Sequence, residues 1–128
     1  MKKLLLAGVL ALGVSLSVFS FASASVSSLT VSPKADLLPG KTSVVVNGTI
    51  VCTQGDTVDV TAIVIQGNSA ATGTTSVTCT GAVQNWAAGA DTVIGSSLKN
   101  GPASYLSQAF DNTDGTSFPT IVGGLHLK

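Results

Sequence analysis

Seven short stretches of this chain alternate between apolar and polar residues, and this repeated pattern is what most constrains the fold. Val, Ile and Thr recur in alternating runs, and clusters of Gly, Asn, Asp or Pro separate each run from the next. Because successive side chains of a strand point to opposite faces, each run is predicted to be a strand with one buried face. The predicted strands span residues 28–32, 42–53, 57–66, 72–80, 83–88, 103–111 and 117–127.

No stretch has a sustained helical period, so the predicted fold class is all-β. Seven such strands bury their apolar faces when two sheets pack together, which predicts a seven-stranded antiparallel β-sandwich with immunoglobulin-like topology. Asn47-Gly48 is a hairpin signal that lies inside one long alternation. A hairpin there would leave two very short strands, so we interpret Gly48 as an in-strand glycine or a bulge.

The first 24 residues have the pattern of a secretory signal peptide. Lys2 and Lys3 precede an apolar run over residues 4–18, and Ala22-Ser23-Ala24 forms a small-x-small cleavage site. The run is too short for a membrane span, so we expect removal and no membrane insertion afterwards. Cleavage before Ser25 leaves a single domain, residues 25–128, that is secreted or held in the cell envelope.

The charges of the remaining chain exclude two classes of partner. It has four Lys, six Asp and neither Arg nor Glu, for a net charge of −2. Nucleic-acid binding and a polybasic membrane-binding patch both need clustered basic residues. The expected partner is therefore an unidentified protein or a second copy of the chain.

Cys52 and Cys79 are predicted to form a disulfide. An exported chain meets an oxidising compartment in which such a pair normally closes. In the alternation Cys52 shares its face with Ile50, and Cys79 shares its face with Val77. A soft-ligand metal site is the competing hypothesis, but it needs more ligands than two distant Cys and one His.

The third predicted strand has apolar residues on both faces. Val58, Val60 and Val64 lie on one face, whereas Ile63 and Ile65 interrupt the polar face that Asp59 begins. A bulge or a covering loop explains them as isolated apolar residues. The alternative is an interaction surface formed by Ile63 and Ile65.

No catalytic or cofactor-binding residue is predicted, so we expect a protein that is not an enzyme. His126 is the only histidine, and an exposed position on the last strand is expected for it. The loop 111–116 contains several oxygen ligands suited to Ca²⁺, but it lacks the alternating acidic positions and final Glu of an EF-hand. Since Asp and Asn are also the usual turn residues, no metal site is assigned.

Short motifs give the chain a resemblance to small secreted bacterial β-sandwich proteins of uncharacterised function. These motifs are Val31-Ser32-Pro33, residues 48–53, residues 78–81, Trp86 and Gly101-Pro102-Ala103. Val31-Ser32-Pro33, followed by Gly40 and a Val-rich strand, is also similar to the start of the neocarzinostatin-type apoproteins. That resemblance implies an immunoglobulin-like sandwich with an apolar ligand in a cleft. The family has two disulfides, whereas this chain has cysteines for one.

The functional expectation is a secreted or cell-surface, non-catalytic protein that acts in binding, adhesion or extracellular assembly. The alternative is a small-molecule carrier like the apoproteins, and a hydrolase is a distant third.

The position of Trp86 differs from that in a true immunoglobulin domain, because it follows the second Cys instead of lying between the two. We still expect Trp86 to be buried.

Overall fold

The structure, a computed structural model, describes residues 25–95 and 97–128. The predicted signal peptide, residues 1–24, lies outside this range. The described residues form eight strands: β1 (Val26–Val31), β2 (Lys34–Leu37), β3 (Ser43–Cys52), β4 (Thr57–Gln66), β5 (Ser69–Thr78), β6 (Gln84–Ile94), β7 (Gly101–Asp111) and β8 (Ser117–Leu127). These ranges contain no helix with the length and apolar character that crossing a bilayer requires.

Seven of the strands close into a mixed barrel. Strand β4 lies between β5 and β7, and β7 pairs with β8, all antiparallel. Strand β8 pairs in parallel with β2, which pairs with β3; β3 pairs with β6, and β6 returns to β5. Strand β1 pairs with β3 beside β2 and lies outside this ring.

The predicted antiparallel immunoglobulin-like sandwich is therefore wrong, although the all-β class is correct. In a sandwich the two sheets pack without backbone hydrogen bonds between them. Here β2 pairs with β3 through Asp36 and Leu37 and with β8 through Lys34 and Ala35. Strand β6 likewise pairs with β3 over most of its length and with β5 at its end. These two shared strands join the layers into one closed sheet.

Strand β3 is continuous through Asn47-Gly48, as predicted. The glycine is required by the close approach of β1, because a Cβ at Gly48 would collide with the carbonyl oxygen of Thr30. Directly opposite Gly48 on β6 is Trp86, which is buried as expected. Its indole N–H donates to the carbonyls of Thr30 and Thr49, each at 3.2 Å. The glycine and the tryptophan thus fix β1 against β3.

The barrel interior is filled by the predicted apolar faces. On β4, Val58, Val60, Ala62 and Val64 are all fully buried, which confirms the alternation of that strand. The Cys52–Cys79 disulfide is also confirmed, with a Cα–Cα distance of 5.5 Å and both residues buried. It ties the end of β3 to the residue that follows β5. This covalent link lies at the end of the barrel where the candidate site is found.

Candidate functional site

Three aspartates from two distant segments of the chain meet beside the disulfide. Asp56 precedes β4, Asp111 ends β7 and Asp114 lies in the turn between β7 and β8. One carboxylate oxygen from each lies within 4.8 Å of the others. The antiparallel pairing of β4 with β7 causes the meeting, because it sets Val58 opposite Asp111. The start of one strand and the end of the other therefore reach the same end of the barrel.

Asp111 is the buried member of this acidic cluster. Its side chain is fully inaccessible to solvent. Oδ1 accepts hydrogen bonds from the backbone N–H groups of Thr113 at 2.8 Å and Asp114 at 3.2 Å. Oδ2 has no hydrogen-bond partner among the described residues. A buried acceptor without a partner costs about 1–3 kcal/mol, and more when it is charged.

The carboxyl groups of Asp56 and Asp111 perturb each other. The hydrogen bond to Asp111 is the main cause that raises the pKa of Asp56, and burial and the charges of Asp111 and Asp114 raise it further. Burial raises the pKa of Asp111, but hydrogen bonds from Asp56 and from the two backbone amides outweigh it, so that pKa is lowered overall. The two carboxyl groups therefore shift each other's pKa in opposite directions.

Ser25 brings the start of β1 to the same cluster. Its hydroxyl donates to Oδ2 of Asp114. Its carbonyl oxygen accepts a hydrogen bond from the backbone N–H of Thr53 at 3.0 Å. Oδ1 of Asp114 is held by Thr116, whose backbone N–H and hydroxyl donate to it at 2.9 and 2.6 Å. The cluster thus combines oxygen atoms from the start of β1, the loop after β3 and the turn after β7.

Backbone contacts around the disulfide fix the loop that carries Asp56. The N–H of Gly55 donates to the Cys79 carbonyl at 2.9 Å, and the N–H of Cys79 donates to the Asp56 carbonyl at 2.8 Å. The backbone N–H of Thr57 donates to the hydroxyl of Thr113 at 3.1 Å. The site is therefore built on a covalently crosslinked end of the barrel.

Only part of this cluster is evident from the sequence. The loop 111–116 contains Asp111 and Asp114, whereas Asp56 and Ser25 are distant from it in sequence. Asp56 and Ser25 join the cluster only through the strand pairing. The one sequence feature that points toward such a cluster is that most aspartates lie in predicted turns.

Ile63 and Ile65 lie on the outward face of β4. Ile63 is half-buried and Ile65 is 40 % exposed. Ile63 is directly opposite Leu106 on β7, and Leu106 is directly opposite Val122 on β8. Val122 is 70 % exposed. We call Ile63, Ile65, Leu106 and Val122 the apolar face.

A shallow groove of about 130 Å³ runs along the apolar face. It is lined by Thr61, Ile63, Leu106, Ser107, Gln108 and Thr120. At another part of the surface, a groove of about 250 Å³ is lined by polar residues that include Gln66, Asn68 and Lys99. His126 is exposed on β8, as expected from the sequence.

No family model, curated protein or solved structure matches this chain.

Proposed function

We propose that this protein is an exported, non-catalytic β-barrel domain that assembles with a second copy of itself through the apolar face. The observation that carries the proposal is the row Ile63, Leu106 and Val122, which continues across three neighbouring strands. Directly opposite side chains on paired strands are about 5 Å apart at Cβ, so these residues form a contiguous apolar surface. Contiguous exposed apolar surface is typical of protein interaction sites.

The charge pattern of this surface favours a second copy as the partner. The outward positions of β4, β7 and β8 carry one carboxylate, Asp59, one imidazole, His126, and no lysine. Asp59 lies near the start of β4 and His126 near the end of β8. Two identical faces of this kind meet without like-charge repulsion at the centre, which a symmetric interface requires.

The export part of the proposal is supported by the N-terminal pattern of Lys2, Lys3 and the apolar run 4–18. The Cys52–Cys79 disulfide is consistent with it, because structural disulfides persist in oxidising compartments. The same reasoning favours a destination in the extracellular medium or the cell envelope.

The small-molecule carrier alternative has less support from the described surface. Pockets that enclose a small ligand usually have volumes of about 300–1,000 Å³. The grooves of about 130 and 250 Å³ fall below this range. An apolar chromophore would thus lie on this surface and remain largely exposed.

The test is sedimentation analysis of the exported protein and of Ile63→Lys with Ile65→Lys. Both side chains point outward, so we expect the variant to keep the wild-type circular dichroism spectrum and to sediment as a monomer. Leu38→Lys with Val83→Lys is the matched control, because it adds the same charge at exposed turn positions outside the apolar face. The control should associate like the wild type.

Two results would overturn the proposal. One is a wild-type protein that stays monomeric at about 100 μM, far above the ~1 μM Kd of a moderate interface. The other is a control variant that dissociates as fully as the double isoleucine variant. If Ile63→Lys disturbs folding because that residue is half-buried, Val122→Lys provides the same test at a position 70 % exposed.

A further inference from the structure

The acidic cluster has a concentration of negative charge that the surrounding protein does not neutralise. The groups that shift the pKa values of Asp56 and Asp111 are aspartate carboxyls, the Ser25 hydroxyl and backbone amides, with no lysine among them. Oxygen atoms of three carboxylates nevertheless lie within 4.8 Å of one another. Such an arrangement calls for more positive charge than the single α-ammonium that cleavage before Ser25 adds at the residue contacting Asp114.

The unpartnered oxygen of Asp111 is an independent indication of a ligand. Its other oxygen already accepts two backbone hydrogen bonds, which fix the orientation of the carboxylate. Oδ2 is left fully buried without a hydrogen bond of normal geometry, and the neighbouring Asp56 is itself a carboxyl, which donates only when protonated. Buried carboxylate oxygens are normally hydrogen-bonded or coordinated to a metal. No N–H or hydroxyl group among the described residues makes a hydrogen bond of normal geometry to this oxygen, and a bound cation would satisfy it.

We propose that Asp56, Asp111 and Asp114 bind one Ca²⁺ ion, with the Ser25 hydroxyl at the edge of the site. Ca²⁺ takes six to eight oxygen ligands at about 2.3–2.6 Å. Two oxygens bound to one ion at such distances are at most about 5 Å apart, which the separation within the cluster satisfies.

The chemistry of the ligands distinguishes Ca²⁺ from other metals. The cluster provides only carboxylate and hydroxyl oxygens, which suit hard cations, and neither imidazole nor thiolate, which Zn²⁺ and Cu²⁺ favour. Mg²⁺ requires a near-ideal octahedron at about 2.0–2.1 Å, whereas Ca²⁺ accepts irregular sets completed by water. Ligands from three separate segments form an irregular set of this kind.

The proposed ion crosslinks parts of the chain that are distant in sequence. Asp56 belongs to the loop after β3, Asp111 ends β7 with Asp114 in the turn that follows, and Ser25 precedes β1. Binding therefore holds three segments together at one end of the barrel. The Cys52–Cys79 disulfide crosslinks the same end. With three carboxylates and one hydroxyl, we expect a Kd of about 10⁻⁴–10⁻³ M, the range of extracellular Ca²⁺ modules.

The experiment is calorimetric titration of the exported protein with CaCl₂, together with thermal unfolding in CaCl₂ and in EDTA. The variants are Asp56→Asn and Asp114→Asn. Asp36→Asn is the matched control, because Asp36 is exposed on β2, outside the cluster. We expect Ca²⁺ to raise the Tm of the wild type and the control, and the two cluster variants to bind Ca²⁺ at least tenfold more weakly.

A second signature comes from the metal-free proteins. Asp56→Asn removes one of the mutually repelling carboxylates, so in EDTA it should unfold at a higher temperature than the wild type, while losing the response to Ca²⁺. A variant that merely damages the fold would lower the Tm in both conditions. If Asp56→Asn folds poorly, Asp114→Asn at an exposed position is compared by its loss of the Ca²⁺ response alone, because its amide also loses an acceptor for Ser25 or Thr116.

Three outcomes would overturn the proposal. The first is a wild-type Tm that is the same in millimolar CaCl₂ and in EDTA. The second is an equal response to MgCl₂, which indicates general screening of charge. The third is a Ca²⁺ response that Asp56→Asn and Asp114→Asn retain to the same extent as Asp36→Asn.

Discussion

Removing the Cys52–Cys79 disulfide should cost a large part of the stability of this domain. In the chain-entropy model, a crosslink across a sequence separation of 27 residues destabilises the unfolded chain by about 3.5 kcal/mol. Both cysteines are buried, so the double substitution Cys52→Ala with Cys79→Ala also loses some packing. We expect a total loss of about 3–5 kcal/mol, compared with about 5–15 kcal/mol for a typical domain.

Urea denaturation at equilibrium measures this loss. The oxidised wild type is compared with the double alanine variant and with wild type that has been reduced and alkylated. The unfolded state of the variant should be more expanded, so its m-value should rise as its midpoint falls. A loss of less than about 1 kcal/mol in a variant with native circular dichroism would refute the loop-entropy reasoning.

Three further predictions concern packing and charge. Trp86→Phe removes the N–H that serves two backbone carbonyls and should lower the free energy of unfolding by about 1–3 kcal/mol in urea denaturation. A Cβ at Gly73 would collide with the Gly89 carbonyl, whereas one at Gly89 meets nothing within 4 Å. Gly73→Ala should therefore cost about 1–3 kcal/mol and Gly89→Ala much less, and equal Tm losses would contradict this packing argument. The Asp111 carboxyl raises the pKa of Asp56 above 3.8, so the folded protein holds a proton that the unfolded chain releases. Without Ca²⁺, stability should then fall as the pH rises from 3.8 through that raised pKa, and a chemical denaturation series in EDTA should show this fall disappear in Asp56→Asn.

The strands themselves could largely be predicted from local pattern. Strand β4 has the predicted ends, and Asn47-Gly48 lies within β3. These features follow from alternation and turn chemistry, which act between neighbours in sequence. Strand β2 is not evident from local pattern, because its four residues after Pro33 are too few to show a period.

The closure of the barrel could not be predicted in the same way. It depends on which strands share an edge, and β2 and β6 each have two partners. The predicted strand 83–88 also stopped short of Ile94, before the part of β6 that pairs with β5. The candidate cation site could not be predicted for the same reason, because the pairing of β4 with β7 is what brings Asp56 and Asp111 together.

The two partners of β2 have a consequence for the order in which the chain folds. Two of its residues pair with β3, which follows it directly, but the other two pair with His126 and Leu127, which are added last among the described strands. A chain that emerges from its N-terminus during synthesis therefore exposes most of its strands before the ring is able to close. Such non-local pairing makes folding slow, on a scale of about milliseconds to seconds. Before β8 pairs, the edges of β2 and β7 that it covers are open to other chains. The pairing of the last strand is therefore also the step that ends the risk of mispairing.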